Sequence, residues 1–267
     1  MRYRSVALPP EHGGWGLLFE PILIGLVAAP SRAGLLLAVA AVAVFLARQP
    51  LKVLLTDRLA GRRVPRTTHA AWFAAAYLSI AVAAGLLAFR VVGRPLLVPL
   101  ACAAPLALVQ LAFDARNRSR GLLPEVCGAA ALAVTPCMLA LAEGWHPRFA
   151  WALWAIAAAR TVPAMVTVRT RVMRLHEPAH VDGADRAPRP SGTPPLIAHA
   201  TAMATVYALQ ASGLAARGVL ALLSILAARA GFTLRASAPR VRAQRIGIEE
   251  LIVGLGSALA LGWLSHR

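Results

Sequence analysis

Acidic residues are scarce in this sequence, which has 11 Asp and Glu against 28 Lys and Arg among its 267 residues. The resulting net charge of +17 would suggest a nucleic-acid partner if the chain were soluble. Aromatic residues are also few, at 6%, and no aromatic-rich basic surface or known nucleic-acid motif accompanies the charge. We therefore expect no nucleic-acid partner.

Cysteine is nearly absent as well. The three cysteines, Cys102, Cys127 and Cys137, all lie in apolar runs, where a thiol behaves as a small hydrophobic group. Such a pattern predicts neither a disulfide framework nor a cysteine metal cluster.

Apolar residues are abundant. They make up 58% of the chain against 15% charged residues, and the mean hydropathy is +0.64, which is typical of an integral membrane protein. Runs close to the twenty residues that a helix needs to cross a bilayer predict an all-α, polytopic helical bundle of about nine transmembrane helices in a single domain, 1–267. The nine runs are 13–29, 33–55, 69–89, 95–113, 121–142, 149–171, 195–214, 218–234 and 247–264.

The orientation follows from the basic residues. Placing the N-terminus in the cytoplasm puts most Lys and Arg of the connections on the cytoplasmic side, which favours a multi-pass protein of the plasma membrane. Glu20 and Pro21 inside the first run favour a retained helix over a cleaved signal peptide. Residues 172–194 are rich in proline and are predicted to form a cytoplasmic loop.

Several predicted crossings contain ionisable residues. A charge in a membrane helix costs about 2 to 4 kcal/mol, so each should face protein or water and have a partner. Under the orientation above, these residues fall between mid-membrane and the cytoplasmic end, which predicts a charged cavity open to the cytoplasm. Glu20, Glu125 and Glu249 are expected to pair with Arg48, Arg160 and Arg229. Residues near helix ends have an alternative, in which their side chains extend to the cytoplasmic membrane–water interface. This alternative applies to Arg48, Lys52, Asp114 and Glu125.

Roles in such a cavity can be assigned by chemistry. Guanidinium and ammonium groups would bind a phosphate or lipid head, carboxylates would hold those cations in place, and histidine could transfer protons near neutral pH. The expected phosphate or lipid ligands are Arg48, Lys52, Arg116, Arg160 and Arg171. The expected cavity carboxylates are Glu11, Glu20, Asp114 and Glu125, and the expected catalytic residues are His12 and His199.

A zinc motif is a further alternative. Residues 176–180 read H-E-P-A-H and match H-E-x-x-H, in which two histidines on one helix face bind zinc and the glutamate activates water. Pro178 would disturb such a helix, and no third ligand is evident. We therefore predict no metal site, and a membrane zinc hydrolase is the least favoured function.

Residues 10–15, P-E-H-G-G-W, followed by L-L-F-E-P at 17–21 and by Gly25, resemble the opening signature of the YwiC-like bacterial integral membrane proteins. The basic segment 169–174 and His199 are also similar to that family. The resemblance implies a polytopic protein of the bacterial inner membrane, and it implies no particular activity.

A more distant resemblance is to the UbiA-type intramembrane prenyltransferases, which have nine helices and a cytoplasm-facing cavity. Residues 113–118, F-D-A-R-N-R, with Glu125 and Gly128, are similar to the exit from their fourth helix. Those enzymes bind an isoprenyl diphosphate through Mg²⁺ held by aspartate-rich motifs. Here the corresponding positions carry Arg48 and Lys52, then the basic segment 169–174, so the usual Mg²⁺ motifs are absent.

Two function classes remain open at this point. The leading hypothesis is a cavity that binds an anionic or isoprenoid membrane lipid, in a divergent prenyltransferase-like enzyme or in a protein with no catalytic role. The alternative is a transporter of small solutes or anions, although no internal repeat of broken helices is found. Mg²⁺ is the one cofactor left open, although its usual motifs are absent, and no protein partner is indicated.

Overall fold

The computed structural model describes residues 4–9, 12–62, 64–118, 121–175, 191–235 and 243–266. Within these ranges the regular structure is helical, which confirms the all-α prediction. The helices are α1 (Arg4–Ala7), α2 (His12–Ala28), α3 (Arg32–Leu59), α4 (Pro65–Val92), α5 (Leu97–Ala115), α6 (Leu122–Ala133), α7 (Thr135–Ala142), α8 (Pro147–Leu175), α9 (Thr193–Ala211), α10 (Arg217–Thr233) and α11 (Ala243–Ser265), with a 3-10 turn at Arg94–Leu96.

Six segments of the described chain are long and apolar enough to cross a membrane: Arg32–Leu59, Pro65–Val92, Arg94–Ala115, Leu122–Ala142, Pro147–Leu175 and Gln244–Ser265. A shorter apolar helix covers Gly14–Ala28. Each of the nine predicted runs coincides with helix, but six segments meet these criteria, so the count of nine crossings stays a prediction. The protein is a multi-pass membrane helical bundle.

The predicted run 121–142 is divided between α6 and α7. The division falls at Val134, immediately before α7, where Pro136 occupies the first turn. Proline is tolerated in a first turn because its missing N–H would have no helical partner there. The proline therefore starts a second short helix instead of kinking one long helix.

The connection predicted at 172–194 is shorter at both ends. Helix α8 continues to Leu175 and α9 begins at Thr193, while residues 176–190, with the H-E-x-x-H pattern, lie outside the described residues. Helix α8 extends because its basic C-terminal turns have partners: Arg171 contacts α11, and Arg174 donates a 2.6 Å hydrogen bond to the carbonyl of Leu234.

Helix α2 packs between α7 and α11, and glycine permits both contacts. A Cβ on Gly25 would lie 2.9 Å from the Cα of Pro136, and a Cβ on Gly262 would lie 3.0 Å from the carbonyl oxygen of Ile24. Neither contact could accommodate a side chain. Small residues at helix contacts let backbones approach closely, which is how membrane helices gain packing energy without a hydrophobic effect.

Side chains of α2, α7, α8 and α11 fill the main core, in which Ile24, Leu139, Ile156 and Leu261 are almost fully buried. Helices α4 and α5 are different, because only 11% of the most apolar stretch of 18 residues in each segment is buried. Their side chains face lipid or the interior space described below.

The turn between α3 and α4 is fixed by one carboxylate. Asp57 is 1% exposed and accepts hydrogen bonds from Nε and Nη2 of Arg66, at 3.0 and 2.5 Å, and from Oγ1 of Thr67, at 2.8 Å. These three bonds join the last turn of α3 to the first turn of α4. The bidentate arrangement also fixes the angle between the two helices.

We predict that Asp57→Ala destabilises the protein by about 2 to 3 kcal/mol, because hydrogen bonds to a charged group contribute about 1.5 to 3 kcal/mol and Arg66 can regain some hydration. The measurement is the free energy of unfolding in detergent. Arg245→Ala is the control, since its pair with Glu249 is exposed and should contribute under about 1 kcal/mol. Equal losses in the two variants would contradict the structural role of Asp57.

Candidate functional site

A cavity of about 1,280 Å³ lies between the helices of the bundle, enclosed on some sides and open on others. It exceeds the roughly 300 to 1,000 Å³ of typical small-molecule sites. Residues of α2 to α8 and of α11 line it. We call one part of the lining the charged end, which comprises Glu20, Arg48, Glu125, Arg160, Arg169 and Glu250, and another part the apolar section, which comprises Leu37, Ala81, Val82, Leu86, Phe89, Leu96 and Leu100.

The two parts are separated along the helix axes. On α3, Leu37 and Arg48 both line the cavity and are eleven residues apart, which corresponds to about 16 Å of helix rise. On α5 the lining begins at Leu100 and becomes polar only at Gln110. The cavity is therefore elongated, with apolar walls over most of its length and ionisable side chains at one end.

The most buried members of the charged end are Glu20 and Arg160, whose side chains are 8% and 4% exposed. Nη2 of Arg160 lies 3.7 Å from Oε1 of Glu20, and Nε of Arg160 donates a 2.7 Å hydrogen bond to Oγ of Ser257. Ser257 in turn donates to a carbonyl of its own helix. One guanidinium thus joins α2, α8 and α11.

Gly254 makes room for this arrangement on α11. A Cβ at this position would overlap Oε1 of Glu20. The carboxylate of α2 therefore lies directly against the α11 backbone, one turn from Ser257, whose hydroxyl donates a 2.9 Å hydrogen bond to the Gly254 carbonyl. A side chain here would displace Glu20 from the position in which it faces Arg160.

The other lining arginines also have carboxylate partners. Nε and Nη2 of Arg48 donate to Asp114 at 2.6 and 3.1 Å, and Asp114 is fully buried behind the guanidinium. Nη1 of Arg169 donates to Glu125 at 2.9 Å. Within the described residues, each arginine at the charged end therefore has a neighbouring acid, and the lining carries as many carboxylates as guanidiniums.

These pairs differ in part from those expected. Glu20 pairs with Arg160, whereas Arg48 pairs with Asp114 and not with one of the three expected glutamates. Arg229 pairs with Glu250 at 2.7 Å. Glu125 pairs with Arg169, and Glu249 contacts Arg171 and Arg245. Spacing along one helix shows which residues share a face, but it does not show which other helix that face meets.

A second, much smaller pocket adjoins the first. Its volume of about 20 Å³ suits roughly one water molecule. Arg160 and Glu250 line both cavities, while His199 and Thr167 line only the smaller one, where Nε2 of His199 lies 3.3 Å from Oγ1 of Thr167. Arg160 and Glu250 therefore separate His199 from the large cavity.

The structure brings four of the predicted site residues to the large cavity: Arg48, Arg160, Glu20 and Glu125. His199 lines the small pocket instead. Lys52, Arg116, Arg171 and Asp114 do not line either cavity, since Arg116 donates to the Ala112 carbonyl, Arg171 faces Glu249 and Glu250, and Asp114 is covered by Arg48. Glu11 and the side chain of His12 lie outside the described residues.

Two lining residues, Arg169 and Glu250, are not among the predicted site residues. Arg169 lies near the end of the predicted run 149–171, and the spacing within that run does not show that its side chain meets a carboxylate of another helix. A usable signal exists on α8, where Arg160, Ala164 and Val168 recur every four residues beside Thr161, Met165 and Arg169. Such a stripe marks one helix face. Among the described residues, no three His, Cys, Asp or Glu side chains come together as metal ligands would.

The helices and their buried ion pairs define the class: this is an all-helical, multi-pass membrane protein. Residues 8–140 match the family described as YwiC-like protein, and the chain belongs to that family. No curated protein and no solved structure matches the chain. The resemblance to UbiA-type enzymes therefore stays a prediction.

The matched segment ends within α7. It includes Glu20, Arg48, Asp114 and Glu125, whereas Arg160, Arg169, His199 and Glu250 lie beyond it. The charged end is thus built from both the matched and the unmatched parts of the chain.

We predict that Gly254→Ala destabilises the protein by about 1 to 3 kcal/mol, because the new methyl group forces the Glu20 carboxylate away from Arg160. Gly256→Ala is the matched control two residues away, where a Cβ meets nothing within 4 Å and the change should be neutral or slightly stabilising. Unfolding temperatures in detergent give the comparison.

The Glu20→Ala background isolates the cause. There the added methyl group at position 254 has no carboxylate to displace, so its penalty should largely disappear. An undiminished penalty in that background would show that Gly254 serves backbone packing and not the placement of Glu20.

Proposed function

We propose that this protein binds an amphiphilic membrane lipid in its internal cavity, with the tail along the apolar section and the head at the charged end. The observation that supports the proposal best is the division of one large cavity into an apolar part and an ionisable part. A water-soluble solute would have no use for some 16 Å of apolar wall.

The walls are suited to a hydrocarbon chain. Val82 and Leu86 on α4 and Leu100 on α5 line the cavity, and each keeps about half of its surface exposed. A hydrocarbon chain that fills this space makes dispersion contacts with the walls, each of only about 0.1 to 0.2 kcal/mol. A single tail, whether isoprenoid or acyl, would thus be held by many weak contacts, and the head would fix its direction.

The polar contacts are concentrated where the head would lie. Glu20, Glu125, Arg160 and Arg169 all line the charged end, and each is held by a partner from another helix. Side chains fixed in this way lose little entropy when a ligand arrives. The proposal extends to binding and selection of the lipid, because the described residues bring together no metal ligands of the kind that a metal-held diphosphate would need.

We predict that filling the apolar section weakens lipid binding. The variant Val82→Trp/Leu86→Trp places two indoles on neighbouring turns inside the cavity and should lower binding of a fluorescent single-chain lipid by about tenfold or more. Equilibrium binding to the purified protein in detergent micelles measures the change, and native mass spectrometry identifies lipid that remains bound after purification.

The matched control is Leu87→Trp/Val91→Trp, on the same helix with the same spacing. Leu87 and Val91 are 50% and 72% exposed but do not line the cavity, so this variant should bind as the wild type does. Unchanged binding in the cavity variant, or the same loss in both variants, would contradict the proposed tail site.

A further inference from the structure

The described residues of the charged end carry no excess of positive charge, and this limits the kind of head group that can bind there. Arg48, Arg160 and Arg169 carry three positive charges into the lining, and Glu20, Glu125 and Glu250 carry three negative charges. Behind them, Asp114 further neutralises Arg48, while Arg171 and Arg229 contact Glu250. The described part of the lining therefore offers a balanced set of charges to whatever head enters.

A diphosphate suits such a site poorly. Its binding needs an excess of guanidinium donors or a bridging cation, because two or more negative charges must be neutralised away from water. In this cavity a diphosphate would lie close to Glu20 and Glu125. It would compete with these two carboxylates for Arg160 and Arg169. Like charges brought together in a poorly hydrated cavity repel strongly.

Two polar atoms on cavity-lining residues have no hydrogen-bond partner within the described residues. One is Oε2 of Glu20 and the other is Oγ1 of Thr161, on residues that are 6% and 2% exposed. Buried polar atoms are normally satisfied, so two such atoms in a binding cavity indicate a group that the ligand supplies. Glu20 offers an acceptor, and Thr161 can donate or accept.

Arg160 completes the set. Its guanidinium has five N–H donors, and in the described part of the chain it makes one hydrogen bond, to Ser257, beside the 3.7 Å contact with Glu20. It precedes Thr161 directly in α8, and both line the cavity. The donors of Arg160, the hydroxyl of Thr161 and the carboxylate of Glu20 therefore belong to residues that line the same cavity.

Building on the lipid-binding function proposed above, we propose that the head group is uncharged and carries a hydroxyl, as in a long-chain alcohol. The hydroxyl donates to Oε2 of Glu20 and accepts from Arg160 or Thr161. A hydroxyl satisfies these buried atoms without disturbing the surrounding ion pairs, because it brings no net charge.

The test asks whether one substitution changes the affinities for two ligands with the same tail in opposite directions. The purified full-length protein in detergent is titrated with geranylgeraniol and with geranylgeranyl diphosphate, and binding is followed by displacement of a fluorescent single-chain lipid. The wild type should prefer the alcohol. Glu20→Gln should weaken alcohol binding roughly tenfold, because it replaces a charged acceptor by a neutral amide, and it should strengthen diphosphate binding by removing a repulsive charge.

A second variant keeps the test valid if Glu20→Gln folds poorly. Thr161→Val removes a hydroxyl that has no partner in the described structure, so the fold should be unaffected, and alcohol binding should fall about fivefold. Thr170→Val is its control, since Thr170 is buried on the same helix but bonds to the Val166 carbonyl and does not line the cavity.

The outcomes separate the two proposals. Preference of the wild type for the diphosphate would overturn the uncharged head while leaving lipid binding intact. Unchanged alcohol binding in both Glu20→Gln and Thr161→Val would overturn the assigned contacts. No displacement by either ligand, in a protein that is folded by its thermal transition, would count against the lipid-binding function itself.

Discussion

A charge inside a membrane bundle must be compensated locally, and the pairing of Glu20 with Arg160 shows what that requires here. Both side chains are buried, so the two depend on each other, and Arg160 depends on Ser257 as well. The three residues come from α2, α8 and α11. Compensation therefore fixes the relative positions of three helices, and the shape of the charged end follows from that constraint.

The same constraint explains the glycines. Helix α2 lies against α7 at Gly25 and against α11 at Gly262, while Gly254 leaves space for the Glu20 carboxylate. Removing side chains at these points brings the backbones close and lets a polar group lie among them. Helices α4 and α5 bury little of their surface. The apolar section of the cavity lies along them, away from the charged end.

Much of the architecture is predictable from the sequence, because apolar runs of membrane length rarely occur outside membrane-spanning helices. The concentration of ionisable residues around one cavity is also predictable for Glu20, Arg48, Glu125 and Arg160, since charges in such runs must meet. The identity of the pairs is not. Whether Arg48 meets Asp114 or Glu125 depends on which helices are neighbours, and periodicity within a helix carries no such information.

Two other features also depend on contacts between helices. The extension of α8 past residue 171 requires partners from elsewhere in the chain, such as the Leu234 carbonyl for Arg174, and a single-sequence pattern does not reveal them. The role of Gly254 emerges only once α2 lies beside it, because the space it leaves is filled by a side chain more than two hundred residues away in the chain.

The most direct measurement of this account is a double-mutant cycle on Glu20 and Arg160, read as free energies of unfolding in detergent. Glu20→Leu and Arg160→Leu should each destabilise the protein by about 3 to 5 kcal/mol, because each leaves one buried charge without its partner. The double variant leaves neither charge, so it should be more stable than either single variant. Additive losses in the double variant would show that the two side chains do not compensate each other, and would contradict the account.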